Sequence, residues 1–144
     1  MFSTNIQLMV YVDDVAKARD FWLALDFCLI EEQEMDGTLV VELAISEGAA
    51  VHFVLYDREF IERHTPEIAT NAPSLMFFTE DIFALYKKMQ ANHVQVGELI
   101  QLTDKYMFNF ADLDGNYFAV TGEIAEYFGR FILFKANRMD FSYA

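Results

Sequence analysis

Apolar and polar residues follow the same order twice along this chain. In residues 7–12, QLMVYV, β-branched and aromatic residues predict a β-strand, and in 15–25, VAKARDFWLAL, apolar residues recur at helical spacing. Asp14 stands between the two patterns, where a helix N-cap residue is expected. The same order returns 67 residues later, with LMFF, then Asp81, then the helical pattern IFALYKKMQAN. The patterning therefore predicts a duplicated strand–helix unit.

Each copy continues with three further strand-like segments. They are FCLIEEQE, TLVVELAI and AAVHFVLYD in the first copy, and VQVGELIQ, KYMFNFAD and YFAVTG in the second. The 67-residue offset extends to the last of these segments, because Gly48 and Gly115 each stand in a turn before it. We expect βαβββ modules at residues 1–57 and 74–123, a linker at 58–73 that holds both prolines, and an extension at 124–144.

Two modules of this size predict an α+β fold. Neither module covers its own sheet, so we expect the sheets to pair into one curved mixed sheet, with helices on the outer face and a concave site on the other. The extension adds apolar residues at helical spacing, which predicts an amphipathic helix that packs on the protein rather than acting as a lid. They are Ile124, Tyr127, Phe128, Phe131 and Ile132.

Composition and charge narrow the class of protein. The chain is 54% hydrophobic and 16% aromatic, which suffices for a sizeable core, and its net charge of −13 argues against nucleic acid or an anionic membrane as partner. Its single cysteine excludes an internal disulfide and fits a reducing compartment. The first residues lack the basic segment of a signal peptide, and no apolar run is long enough to span a bilayer. We therefore expect a soluble, cytoplasmic protein.

Three segments resemble motifs of a known family. VDDVAKARDFWLALDF, EDIFALYKKMQANHV and FADLDGNYFAVTGE are similar to the two helix signatures and the closing turn of the vicinal-oxygen-chelate superfamily, which includes glyoxalase I, the bleomycin-resistance proteins and extradiol dioxygenases. The resemblance covers residues 5–123, with Asp26 and His93 in place of glycine and Leu113 in place of proline. It implies a cupped sheet with the site on the concave face, and a homodimer.

The resemblance also implies four strand positions at which the enzymes of the superfamily hold a divalent metal. Here they are Gln7, His52, Ser74 and Ala119. A catalytic site needs about three ligands from His, Glu, Asp or Cys, and only His52 qualifies. We therefore expect no metal, no other cofactor and no catalytic residue. The alternative is a metal-dependent lyase or dioxygenase that uses His52 and Glu42.

Strand alternation predicts an aromatic and methionine-rich cup with a few polar groups, which is typical of a small-molecule site. The predicted ligand-binding residues are Gln7, Met9, Tyr11, Glu42, His52, Tyr56, Ser74, Met76, Phe78 and Asn109. The preferred function is sequestration of a small cationic or aromatic molecule, as in antibiotic resistance. The competing interpretation is that the face is core or a dimer interface with no ligand, that His52 is structural, and that Glu42 faces solvent.

Overall fold

The computed structural model of the protein describes residues 1–67 and 70–123; the helix predicted within 124–144 lies outside them. The strands are β1 (Ile6–Val12), β2 (Cys28–Met35), β3 (Thr38–Ala44), β4 (Val51–Asp57), β5 (Met76–Phe78), β6 (Gln95–Val96), β7 (Ile100–Gln101), β8 (Lys105–Ala111) and β9 (Tyr117–Glu123), and the helices are α1 (Val15–Ala24), α2 (Arg58–His64) and α3 (Ile82–Ala91). The described chain forms two compact units, residues 1–73 with 112–116, and residues 74–111 with 117–123.

Two aspartates begin the equivalent helices of the two modules. The Asp14 carboxylate accepts a hydrogen bond from the backbone N–H of Lys17 at the start of α1, and the Asp81 carboxylate accepts one from Ala84 at the start of α3. Each bond satisfies a backbone donor that has no partner within the helix. Both predicted N-caps are confirmed.

The same two helices end alike. Asp26 and His93 follow them with φ angles of 70° and 60°, in the left-handed region where glycine is the usual residue. The chain then turns back, because the N–H groups of Phe27 and Val94 donate to carbonyls in the last turns of α1 and α3. The predicted left-handed conformation after the first helix is confirmed, and it recurs after the second.

The first unit is a four-stranded sheet in the order β1-β4-β3-β2, in which β1 runs parallel to β4 and the other pairs are antiparallel. Helix α1 packs against β3 and β4, where the ring of Trp22 lies 5.7 Å from that of Phe53. Helix α2 starts the linker, with Asp57 as its N-cap. The linker predicted at 58–73 thus begins as a helix.

The second unit is a sheet in the order β5-β9-β8-β6, and β7 also pairs with β8. Helix α3 contacts β6 and β9, and its Phe83 and Tyr86 pack their rings on Tyr106 and Phe108 of β8. The segment predicted as one strand, VQVGELIQ, is divided into β6 and β7. The predicted fold class, α+β with two tandem βαβββ modules, is confirmed.

The turn before the last strand differs between the modules. Ala44 pairs with His52, eight positions later, whereas Ala111 pairs with Tyr117, six positions later. The Asp112 carboxylate holds the shorter turn by accepting hydrogen bonds from the N–H groups of Asp114 and Asn116 and from the Asn116 side chain.

This difference corrects the repeat alignment. The parallel strand pairs show the same two-residue difference, since Met9 lies opposite Val54 in the first module and Met76 lies opposite Ala119 in the second. The offset of 67 residues therefore becomes 65 in the last strand, so that His52 corresponds to Tyr117. The prediction that Ala119 is equivalent to His52 was wrong, because it counted from the turn glycines rather than from the hydrogen-bonded register.

Candidate functional site

The face of the first sheet opposite α1 carries many of the predicted site residues. Because Phe53 of β4 packs on α1, strand alternation places its neighbours on the open face. The parallel register then aligns the predicted residues of β1 and β4 side by side: Gln7 with His52, Met9 with Val54, and Tyr11 with Tyr56. The next strand, β3, adds Glu42, which pairs with Val54.

Three polar side chains meet on this face. The Nδ1 atom of His52 lies 2.5 Å from Oε2 of Glu42, and its Nε2 atom lies 2.9 Å from the carbonyl oxygen of Ala49. The Gln7 amide lies 3.4 Å from the same Glu42 oxygen, at the long limit of a hydrogen bond. The structure thus brings Gln7, Glu42 and His52 together, although they come from three different strands.

This arrangement favours the doubly protonated His52 ring. Both ring nitrogens face acceptors, and only an imidazolium has a donor on each nitrogen. The pKa of His52 is raised from its ordinary value, first by the hydrogen bond to Glu42 and further by the Ala49 carbonyl, while desolvation opposes the shift. His52 and Glu42 therefore form an ion pair whose charge depends on pH.

A cleft of about 70 Å³ lies beside this pair. It is lined by Gln7, Glu31, Gln33, Val40, Glu42, Val54 and Tyr56. Among the described residues, its lining contains two carboxylates and no lysine or arginine. No faces were assigned to β2 from the sequence, which therefore did not predict Glu31 and Gln33; both follow a register shift between Leu29 and Glu31.

Tyr11 and Met9 occupy different depths on the same strand. Tyr11 is only 6% exposed, and its ring lies 6.1 Å from that of Tyr56. Burial, and secondarily Tyr56, raises the pKa of the Tyr11 hydroxyl. Met9 is 51% exposed. A ligand on this face can contact the exposed Met9. The Tyr11 side chain is buried beneath the surface of the same face.

The second sheet brings a different set of predicted residues together. Met76, Ala119 and Asn109 are direct neighbours across β5, β9 and β8. Phe78 is 80% exposed, and Ser74 is exposed just before β5 begins.

Tyr117 is an open-face residue of the second sheet that the sequence interpretation missed. It is 63% exposed and occupies the position that corresponds to His52. The correct register of β9 would have revealed it.

The described residues do not fit the metal site of the superfamily's enzymes. His52 directs both ring nitrogens at acceptors, Gln7 supplies a weak amide, Ser74 precedes its strand, and the fourth position is Tyr117. Within residues 1–67 and 70–123 there is no group of three or more His, Cys, Asp or Glu side chains arranged to hold a metal. The ligand chemistry of a catalytic divalent ion is therefore not met by these side chains.

The fold and this open-faced site define a class of protein. A family model described as the Glyoxalase/Bleomycin resistance protein/Dioxygenase superfamily matches residues 6–120, and the chain belongs to this superfamily. In the described part of the chain, no helix has the length and apolar character needed to cross a membrane.

Particular relatives can be named within that class. The uncharacterized protein YetH of Bacillus subtilis (strain 168) is 32% identical over 111 residues, which cover 76% of this chain and 89% of YetH. The structure is similar to that of TnmS3, an antibiotic binding protein from Streptomyces sp. CB03234, with a TM-score of 0.68, 24% identity, and coverage of 85% of this chain and 97% of TnmS3. A glyoxalase/bleomycin resistance protein from the same strain gives a TM-score of 0.63 and 26% identity, covering 81% of this chain and 97% of its own.

Proposed function

We propose that this protein is a metal-free binding protein of the superfamily, which sequesters a small molecule that carries a cationic group and an aromatic or apolar body. The open face of the first sheet is the proposed binding surface. The cationic group enters the cleft between Glu31 and Glu42, and the rest of the ligand lies across the neighbouring side chains.

The charge of the cleft is the observation that carries this proposal. Glu31 and Glu42 are direct partners across β2 and β3, and the part of the lining that the structure describes offers no lysine or arginine to neutralise them. The whole chain carries a net charge of −13, which adds a long-range attraction for cations. An anionic ligand would meet repulsion both on approach and in the cleft.

The size of the cleft limits what it can hold. Its volume of about 70 Å³ is well below the roughly 300–1,000 Å³ of pockets that enclose drug-sized ligands. The cleft therefore accommodates one charged group rather than a whole ligand. Beside it, the exposed Met9 offers a flexible apolar contact that adapts to ligands of different shape.

The similarity to TnmS3 supports this class of ligand. TnmS3 is an antibiotic binding protein, and the family model includes bleomycin-resistance proteins. We extend the proposal to a resistance-type role in the cytoplasm, with a homodimer as the binding unit. A monomer in light scattering of the full chain would remove the dimer from the proposal and leave the first-sheet surface as the binding site.

Calorimetric titration tests the proposal with two probes, metal-free bleomycin as a cationic glycopeptide and ethidium as a planar aromatic cation. We expect binding of at least one probe, and an affinity about tenfold lower in the variants Glu31→Gln and Glu42→Gln, because each removes one carboxylate from the cleft.

Glu34→Gln is the matched control. Glu34 lies on β2 opposite Leu39, on the face turned away from the cleft, and the substitution makes the same change of charge. Equal affinities of Glu31→Gln and Glu34→Gln would contradict the proposed site. The absence of heat with both probes would contradict the proposed ligand class.

Elemental analysis addresses the metal-dependent alternative. We expect less than about a tenth of an equivalent of Zn, Ni, Mn or Fe after purification in medium supplemented with these metals, because the donor set falls short of three ligands. A stoichiometric metal that is lost in His52→Gln would support a lyase or dioxygenase instead.

A further inference from the structure

The Glu42–His52 ion pair sits at the edge of the cleft where the proposed cation binds. One carboxylate oxygen of Glu42, Oε2, faces both His52 and Gln7. Its other oxygen, Oε1, has no hydrogen bond within residues 1–67 and 70–123. A ligand N–H or other cationic group can therefore approach Oε1 while the pair is in contact. The negative charge it meets depends on the protonation of the ring.

We propose that the Glu42–His52 pair makes ligand binding proton-linked: a cation that binds Glu42 takes over the role of the imidazolium charge, and His52 releases one proton to solvent. This inference rests on the proposed function and names the residue that regulates it. The released proton is the one on Nδ1, which faces Glu42. The Nε2 proton stays, because it donates to the carbonyl of Ala49.

Within residues 1–67 and 70–123, the surroundings of His52 contain no other cation that could neutralise Glu42. On β3 and β2 the charged groups of the same face are Glu42 and Glu31, and the thiol of Cys28 lies in the same row of the sheet as His52, because Ala44 pairs with both. On β1 and β4 the titratable groups of that face are the hydroxyls of Tyr11 and Tyr56, and Gln7 directly opposite His52 is neutral. Among the residues that the structure describes, the imidazolium is thus the single positive charge beside the cleft lining.

The direction of the effect follows from charge. When His52 is protonated it neutralises Glu42, so a ligand cation meets a weaker field. When the ring loses its proton at higher pH, the full carboxylate charge becomes available. Because burial of the ligand disfavours two adjacent cations, bound ligand lowers the pKa of His52 from its raised value in the free protein.

Ethidium is the probe for this linkage, because its charge does not change across the pH range in which histidine titrates. We expect its Kd to fall about tenfold between pH about 6 and pH about 9, with one proton released at most, counted by calorimetry in buffers of different ionisation enthalpy. In His52→Gln the Kd should be independent of pH, since glutamine keeps a donor to Glu42 without a titrating charge.

His64→Gln is the matched control. His64 lies on α2, stacks on Phe60 and donates a hydrogen bond from Nδ1 to the Phe60 carbonyl, away from the cleft. This variant should retain the full pH dependence. Histidine C–H resonances in NMR titrations, assigned through the two variants, should show a lower pKa for His52 when ethidium is bound.

The outcomes separate this inference from the proposed function. Measurable binding of ethidium that is independent of pH, or pH dependence that persists in His52→Gln, overturns the proton linkage and leaves the binding function intact. No binding at any pH overturns both. Proton release in the wild type and in His64→Gln, and its loss in His52→Gln, establishes the linkage.

Discussion

The open faces of the two sheets carry different side chains, although both modules have the same βαβββ arrangement. On the first sheet, Glu31 and Glu42 line a charged cleft, and His52 pairs with Glu42 beside it. On the second sheet, the corresponding surface presents Phe78 and Tyr117, and no charged side chain is among its predicted site residues. The buried faces are alike, since in both modules one capped helix packs on the sheet through aromatic rings.

This contrast shows at which positions of a module the fold restricts the type of residue. The helix-facing residues must fill a close-packed core, which restricts them to apolar side chains of matching volume. The open-face residues meet no such restriction, so the two halves can differ there. The first face presents two carboxylates and a histidine, whereas the second presents exposed aromatic rings, with the charged Lys105 only at the start of β8.

The sharpest test of this comparison is whether the aromatic residues of the second sheet's open face are core residues. Phe108 is 1% exposed under α3, and its replacement by alanine should cost about 3–5 kcal/mol of unfolding free energy. Phe78→Ala should change the unfolding free energy by less than about 0.5 kcal/mol, because its ring is in solvent. Urea denaturation measures both. A cost for Phe78→Ala close to that of Phe108→Ala would show that the face is packed.

The shorter turn of the second module should depend on one buried carboxylate. Asp112→Ala leaves the N–H groups of Asp114 and Asn116 without their acceptor, and we expect a loss of about 2–3 kcal/mol. The control is Ser46→Ala in the exposed turn of the first module, with an expected change below about 0.5 kcal/mol. Equal midpoints in urea for these two variants would contradict the explanation of the turn.

Because the two modules share the same strand–helix unit, the N-caps of α1 and α3 should contribute equally to stability. Asp14→Ala and Asp81→Ala should each lower the unfolding free energy by about 1 kcal/mol, because each removes an acceptor for a backbone donor in the first helical turn. The asparagine variants should retain most of the stability, since asparagine also caps well. Clearly different losses of unfolding free energy in the two alanine variants, measured by urea denaturation, would show that the strand–helix units of the two modules are not equivalent.

The smallest expected effect is the pH dependence that His52 confers on the first module alone. Its pKa in the folded protein is raised above the ordinary 6.5, so its stabilising contribution is fully present below about pH 6.5 and is lost as the pH rises through the raised value. The Tm of the wild type should therefore exceed that of His52→Gln at pH about 5.5, and this difference in Tm should shrink at pH about 9. Parallel shifts of Tm in the two proteins would rule out this contribution.

Much of the first module's site was readable from alternation. Gln7, Met9 and His52 lie on the face where period-two spacing placed them, and Glu42 joins them. Alternation could not show that Tyr11 is buried, because exposure on a sheet face depends on neighbouring strands. Glu31 was not predicted because no face was assigned to β2, and the register shift between Leu29 and Glu31 changes which residues of that strand share a face. Their roles in binding remain predictions.

The sequence by itself determined the features that depend on neighbours along the chain. The caps at Asp14 and Asp81, the left-handed residue Asp26 and the βαβββ order all follow from local spacing and local hydrogen bonds. Only the tertiary structure decided which residues face one another across strands. Tyr117 rather than Ala119 corresponds to His52, because sheet register depends on turn length and on hydrogen bonds between distant segments, which a constant repeat offset cannot encode.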